Sequence, residues 1–244
     1  MDSGLYAACA GLVARTQALD LAANNLANVN TNGYKAQLPT FQSVLANASS
    51  AVSSNPIAQA VNDYGVLGDS RTNLTQGSFE RTGSDFDFAL QGDGWFVLQS
   101  GKERLYTRNG NFHVDRNGHL ATADGNAVLG TQGPITIPSG KLFVSGDGTI
   151  SVDGALAGQL RVVQFSPGTT LSPAGSSYFS APAASEQSSK AQVMQGSLEN
   201  SNVSPVTAAV DLVTLQRNAD LLQQALTTIH SNLNRIAAQN LPQI

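Results

Sequence analysis

The chain has 244 residues, 41% of them apolar, enough for one large domain or two smaller ones with a real core. Asp, Glu, Lys and Arg together make 12%, about half the usual share in soluble domains. The net charge of −4 offers no basic footprint for nucleic acid. Asn, Gln, Ser, Thr and Gly take the place of the missing charge, an exterior that suits being covered by other subunits.

The N-terminal stretch "MDSGLYAACAGLVART" lacks the basic start of a cleavable secretory signal and carries Asp2. No run approaches the roughly eighteen apolar residues of a membrane span, so direct membrane insertion is not expected. Cys9 is the only cysteine, which excludes an intrachain disulfide and a cysteine metal cluster; its expected role is a buried small hydrophobe. Leu5, Leu12, Leu19 and Leu26 recur at heptad spacing, with Ala8, Ala22 and Val29 at the +3 positions and Arg15 as the exception. That spacing predicts a first helix of about 35 Å with an apolar seam.

The helix runs into "ANNLANVNTNGYK", where Asn24, Asn25, Asn28, Asn30 and Asn32 crowd a short stretch before Gly33. Asn competes for backbone partners and favours turns, and Asn32-Gly33 suits the φ > 0 conformations that end a helix. The amides are expected to serve as interchain contacts that set register, together with the turn. Residues 41–75 then read as a polar connector.

Between 76 and 165 the period changes to two. Runs such as "FDFAL", "WFVLQ", "RLYT", "NFHV" and "KLFVS" alternate with turn dipeptides including Asp93-Gly94, Asn117-Gly118 and Asp147-Gly148. This predicts a compact all-β domain. In "NFHVDRNGHLAT", a type I turn over Asp115 to Gly118, with Gly118 in a G1 bulge, pairs Val114 with Leu120 and Phe112 with Thr122 on one apolar face. The same register puts His113, Asp115 and His119 on the outer face. A metal site there would need further ligands that the sequence does not supply, so a solvated face is expected. No nucleotide loop, nucleophile elbow or zincin motif occurs, and no cofactor is expected.

Residues 166–203 are rich in Ser, Ala and Pro and read as a second extended connector. Ser204-Pro205 is a helix start, an N-cap followed by proline at the first helical position. Leu215, Leu222, Ile229 and Ile236 step by seven behind it, with Leu212, Ala219, Leu226 and Leu233 three residues before each. A last helix over 204–244, about 50 Å long, is expected. The expected fold is α+β: long N- and C-terminal helices (1–40 and 204–244) pairing as a coiled-coil-like assembly domain, with a central all-β domain. Few charges line either seam, so the helices are expected to be surrounded by copies of themselves.

Four segments in order, "LDLAANNLANVNTNGYKAQ" (19–37), "TQGSFERTGSDFDFALQGDGWFVLQ" (75–99), "YTRNGNFHVDRNGHLATADGNAVLG" (106–130) and "QGSLENSNVSPVTAAVDLVTLQR" (195–217), resemble the flagellar basal-body rod protein family. Within it, "MDSGLY", "YKAQ" and "VLGTQGPITIP" look more like the proximal-rod than the distal-rod member. In "RNADLLQQAL" the family more often carries Glu and Met after Arg217. The resemblance implies a non-enzymatic structural subunit of the rod, which forms part of the drive shaft and export channel. Its partners would be copies of itself, other rod subunits, neighbouring rod or hook-basal-body proteins, and the flagellar type III export apparatus. It would lie in the periplasm and be exported without signal cleavage. A surface-binding β module with coiled-coil stalks would instead need a secretory signal and an exposed aromatic platform, neither of which the sequence shows. A hydrolase using His113 or His119 would need a nucleophile beside the imidazole.

Overall fold

A computed structural model describes residues 2–42, 66–166 and 168–239. The chain divides into two units. One combines the N-terminal helix, residues 37–73 and the C-terminal helix; the other combines residues 28–36 with 74–203.

In the first unit, α1 (Asp2–Ala27) and α2 (Pro205–Gln239) pack on each other, and α1 also packs on a two-stranded antiparallel hairpin, Gln37–Gln42 with Val66–Thr72. The start of α2 is capped as its sequence predicts. The Ser204 hydroxyl accepts the Thr207 N–H at 3.4 Å, and the Ser204 carbonyl accepts the Ala208 N–H at 2.9 Å. The side chains of Leu5, Cys9, Ile229, Leu233 and Ile236 lie outside the described residues, as do residues 43–65 and the expected stop at Leu241-Pro242.

The expected coiled-coil-like pairing is not what the structure contains. Among the described residues the α-helical part consists of Asp2–Ala27 and Pro205–Gln239, 26 and 35 residues long, in a chain whose larger unit is β. On α1 the buried positions step by four through Ala14, Ala18 and Ala22, whereas Leu12, Leu19 and Leu26 are only half-buried. A coiled coil buries large a and d knobs in facing holes. Alanines instead let helix and hairpin backbones approach closely and leave the leucines at the margin. The α+β class itself stands.

The β unit is larger than the expected span of 76–165. Residues 166–203, expected as a connector, carry Ser172–Pro173, Tyr178–Ser180, Glu186–Ser188, Gln192–Gln195 and Ser197–Glu199, all paired with other strands. Backbone pairing does not depend on side-chain hydrophobicity, and Pro173 sits in an edge strand where no ladder N–H is missed. Residues 41–75, also expected as a connector, supply the end of one hairpin strand and the whole of the other.

Trp95–Ser100 runs through the middle of a ten-stranded sheet, between Glu103–Thr107 and Ala127–Gly130. Phe96 and Leu98 point into one core with Phe88, Leu90, Phe112, Leu120, Val128 and Ile150. Trp95 and Val97 point into a second core with Tyr106, Leu129, Val163 and Phe179. Two covered faces explain why "WFVL" is apolar at every position instead of alternating. The hairpin register is as the sequence predicts: Val114 faces Leu120, Phe112 faces Thr122, and Gly118 has φ +81°.

Candidate assembly surface and the buried ion cluster

The C-terminal helix carries apolar side chains on two opposite sides. Ala208, Leu212, Leu215, Ala219, Leu222 and Leu226 form a stripe that is buried or half-buried within the first unit. Val206, Val210, Val213 and Leu221 form a second stripe, 74%, 59%, 48% and 63% exposed. At about 100° per residue the two stripes lie roughly opposite each other around the helix. A helix that is apolar on one side belongs on a surface; one that is apolar on two sides belongs inside a bundle. α1 has a thinner second face, where Val13 is 57% exposed and Gln17, Asp20 and Asn24 follow it in solvent.

The asparagine run divides its work. Asn25 grips the Gln37 backbone at both ends, its Nδ2 donating to the carbonyl at 2.8 Å and its Oδ1 accepting the N–H at 2.9 Å. Asn28 closes a turn with Thr31, whose Oγ1 lies 3.1 Å from Asn28 Oδ1. Both amides make bonds within the chain. Asn24 and Asn30 are exposed, and Asn32 is half-buried. α1 has already ended at Ala27, so Gly33 does not stop the helix. Its φ of +69° and a close backbone approach explain the glycine: a Cβ there would lie 2.2 Å from Asn109 N.

Just beyond Gly33 the β unit closes around three charges that the sequence pattern does not single out. The Glu199 carboxylate is fully buried; Oε1 accepts from Lys35 Nζ at 2.5 Å and from Gly77 N at 3.0 Å, while Oε2 lies 3.2 Å from Arg108 NH1. Lys35 also donates to the Thr75 carbonyl at 2.7 Å. Arg108 donates to the carbonyls of Leu90 and Gly92 and lies 5.4 Å from the Trp95 ring centroid. Among the described residues its buried Nε meets no acceptor. Burial lowers the affinity of the Lys35 amine and the Arg108 guanidinium for their protons, and the Glu199 charge opposes that. Removing one partner from such a site leaves an uncompensated buried charge. The cluster therefore ties the segment leaving α1, the end of Glu103–Thr107 and the segment entering α2 into one unit. Its sequence signal is modest: in a charge-poor chain, Lys35, Arg108 and Glu199 each fall inside a stretch that resembles the rod family.

A second acidic centre lies on the far core. Glu186 accepts from Tyr106 OH at 2.6 Å and Arg161 NH2 at 2.5 Å, with Arg104 NH1 at 3.3 Å. On the outer hairpin, Asp115 Oδ1 accepts the N–H groups of Asn117 and His119, each at 2.8 Å, and His119 Nδ1 lies 3.1 Å from Thr136 Oγ1. His113 is exposed. Among the described residues no group of three or more His, Cys, Asp or Glu side chains is placed to share a metal. No described helix is long and apolar enough to cross a membrane.

Fold and surface describe a building block, with a closed β body and a helical unit that bares apolar stripes. Three family models match: "Flagella basal body rod protein" over residues 5–35, "Flagellar hook protein FlgE/F/G D1 domain" over 89–152, and "Flagellar basal body rod FlgEFG protein C-terminal" over 194–239. The flagellar basal-body rod protein FlgF of Caulobacter vibrioides is 31% identical over 100% of both chains. FlgF of Salmonella typhimurium is 32% identical over 96% of this chain and 97% of its own. The flagellar basal-body rod protein FlgG of Agrobacterium fabrum is 30% identical over 97% of this chain and 98% of its own. The chain belongs to the flagellar basal-body rod protein family. It is a structural subunit of the basal-body rod of the flagellum.

Proposed function

We propose that this subunit occupies the proximal part of the rod and is built in through α1 and α2, next to copies of itself and to other rod or hook-basal-body subunits. There it forms part of the drive shaft and of the export channel. It reaches the periplasm through the flagellar type III apparatus, without loss of an N-terminal signal peptide, and performs no catalysis. The observation that carries the reading is the bare stripe Val206, Val210, Val213 and Leu221, opposite the stripe already covered within the chain. Burying one such side chain contributes about 1.5–3 kcal/mol, so a row of them favours a helix enclosed on both sides. Leu12, Leu19, Leu26, Leu212, Leu215, Leu222 and Leu226 are half-buried, and their remaining surface is available to neighbours.

The proximal position is supported by full-length relatives named FlgF; the relative named FlgG favours a distal position as the second reading. The test is Val210→Asp expressed in place of the native chain. Val210 is exposed, so the purified variant should fold normally, yet isolated basal bodies should lack it and the cells should not swim. Normal incorporation and swimming would overturn the reading. Crosslinking from the bare stripe then separates the two positions by the neighbour captured.

A further inference from the structure

We propose that the bare face of α1 in one copy packs on the bare face of α2 in the next, and that Asp20 of the first pairs with Arg217 of the second. This rests on the chain acting as a rod subunit, and it names the contact that joins like copies.

The two faces are complementary. On α1, Val13, Gln17, Asp20 and Asn24 share one exposed side, opposite the buried Ala14, Ala18 and Ala22. Among the residues of α1 whose side chains are described, Asp20 is the only charged group on that side. On α2, Arg217 stands in line with Val206, Val210, Val213 and Leu221, within an otherwise apolar stripe. A lone cation within an apolar face is costly to cover unless an anion meets it. Among the described residues, Asp20 and Arg217 take part in no ion pair. Two further described charges fall on or beside the line of the stripe: Asp220, exposed one turn beyond Arg217, and Arg235, exposed five turns beyond it. An antiparallel crossing centred on Asp20 and Arg217 brings Gln17 opposite Asp220, where its amide can donate to the carboxylate. It also brings Thr16 opposite Leu221 and Asn24 opposite Val213. The asymmetry matters. A contact between two different faces is heterologous and leaves one of each face open at the ends of a chain of subunits, so it extends instead of closing as a dimer.

The experiment uses purified full-length chain, with weight-average mass followed against concentration by sedimentation. Asp20→Arg and Arg217→Asp should each raise the concentration needed for association about fivefold, which corresponds to about 1 kcal/mol. Mixing the two variants in equal amounts should restore association. The arginine introduced in one variant then meets the aspartate introduced in the other, and the unchanged Asp20 and Arg217 meet at the alternate contact. Circular dichroism of each variant confirms that the fold is kept. Association unchanged by either reversal, a mixture that fails to recover, or a native chain that stays monomeric at all concentrations would each overturn the contact. If Val210→Asp is excluded from basal bodies while both charge variants enter them normally, the rod role stands and this contact falls.

Discussion

Glu199 and Lys35 lie 164 positions apart in the chain and meet at 2.5 Å, with both side chains closed to water. Glu199→Gln keeps the volume but leaves Lys35 and Arg108 as buried cations without an anion. It should destabilise the β unit by about 3–5 kcal/mol, read as a lower urea midpoint. Replacing all three by apolar residues, Lys35→Met, Arg108→Met and Glu199→Leu together, should recover most of that loss. A single-residue loss below about 1 kcal/mol would show that the cluster is open to water.

The same geometry sets the smallest chain that folds. A fragment of residues 74–165 lacks Gln192–Gln195, which pairs with Phe88–Gln91, and lacks Glu199. It should be unfolded by amide dispersion in NMR spectra. Residues 28–203 contain the whole second unit and should unfold in one cooperative transition. A stable 74–165 fragment would mean that the flanking segments only decorate the body.

Glu186 and Tyr106 predict the pH response of the far core. Burial alone raises the Glu186 carboxyl, but the Tyr106 and Arg161 hydrogen bonds and the Arg161 and Arg104 charges outweigh it and hold it below its ordinary value. A depressed carboxyl adds stability above an ordinary value of 4.5 and loses it as pH falls through the folded value. Tyr106 is raised, first by burial and then by its bond to Glu186 and that charge. Its contribution is complete below the ordinary value of 10.0 and is lost as pH rises through the folded value. The native chain should therefore exceed Glu186→Gln in urea midpoint at neutral pH, and the gap should narrow as pH falls below the ordinary carboxyl value of 4.5. A constant gap would contradict the assignment.

Gly33→Ala tests a backbone requirement. The new Cβ would strike the Asn109 backbone and hold alanine at a positive φ. The cost should exceed about 1 kcal/mol in chemical unfolding, whereas Gly125→Ala, with a positive φ but open space around it, should cost less. Equal losses at the two sites would remove the argument from close approach.

What the sequence determined by itself rests on local chemistry. The Ser204-Pro205 start, the Asp115 to Gly118 bulged turn and its register, and the apolar strand at Trp95 all depend on neighbours a few residues away, so they were legible in advance. The four ordered segments were likewise enough to reach the family. What only the tertiary structure decided depends on distant partners. Strands in 172–199 pair through backbone groups that composition does not reveal, and alanines rather than leucines fill the narrow contact beneath α1. Glu199 became the keystone of the β unit only when folding brought it to Lys35 and Arg108. Periodicity shows that a residue sits on a face of its own element, but which surface covers that face is settled by long-range packing, and α2 has two faces to cover.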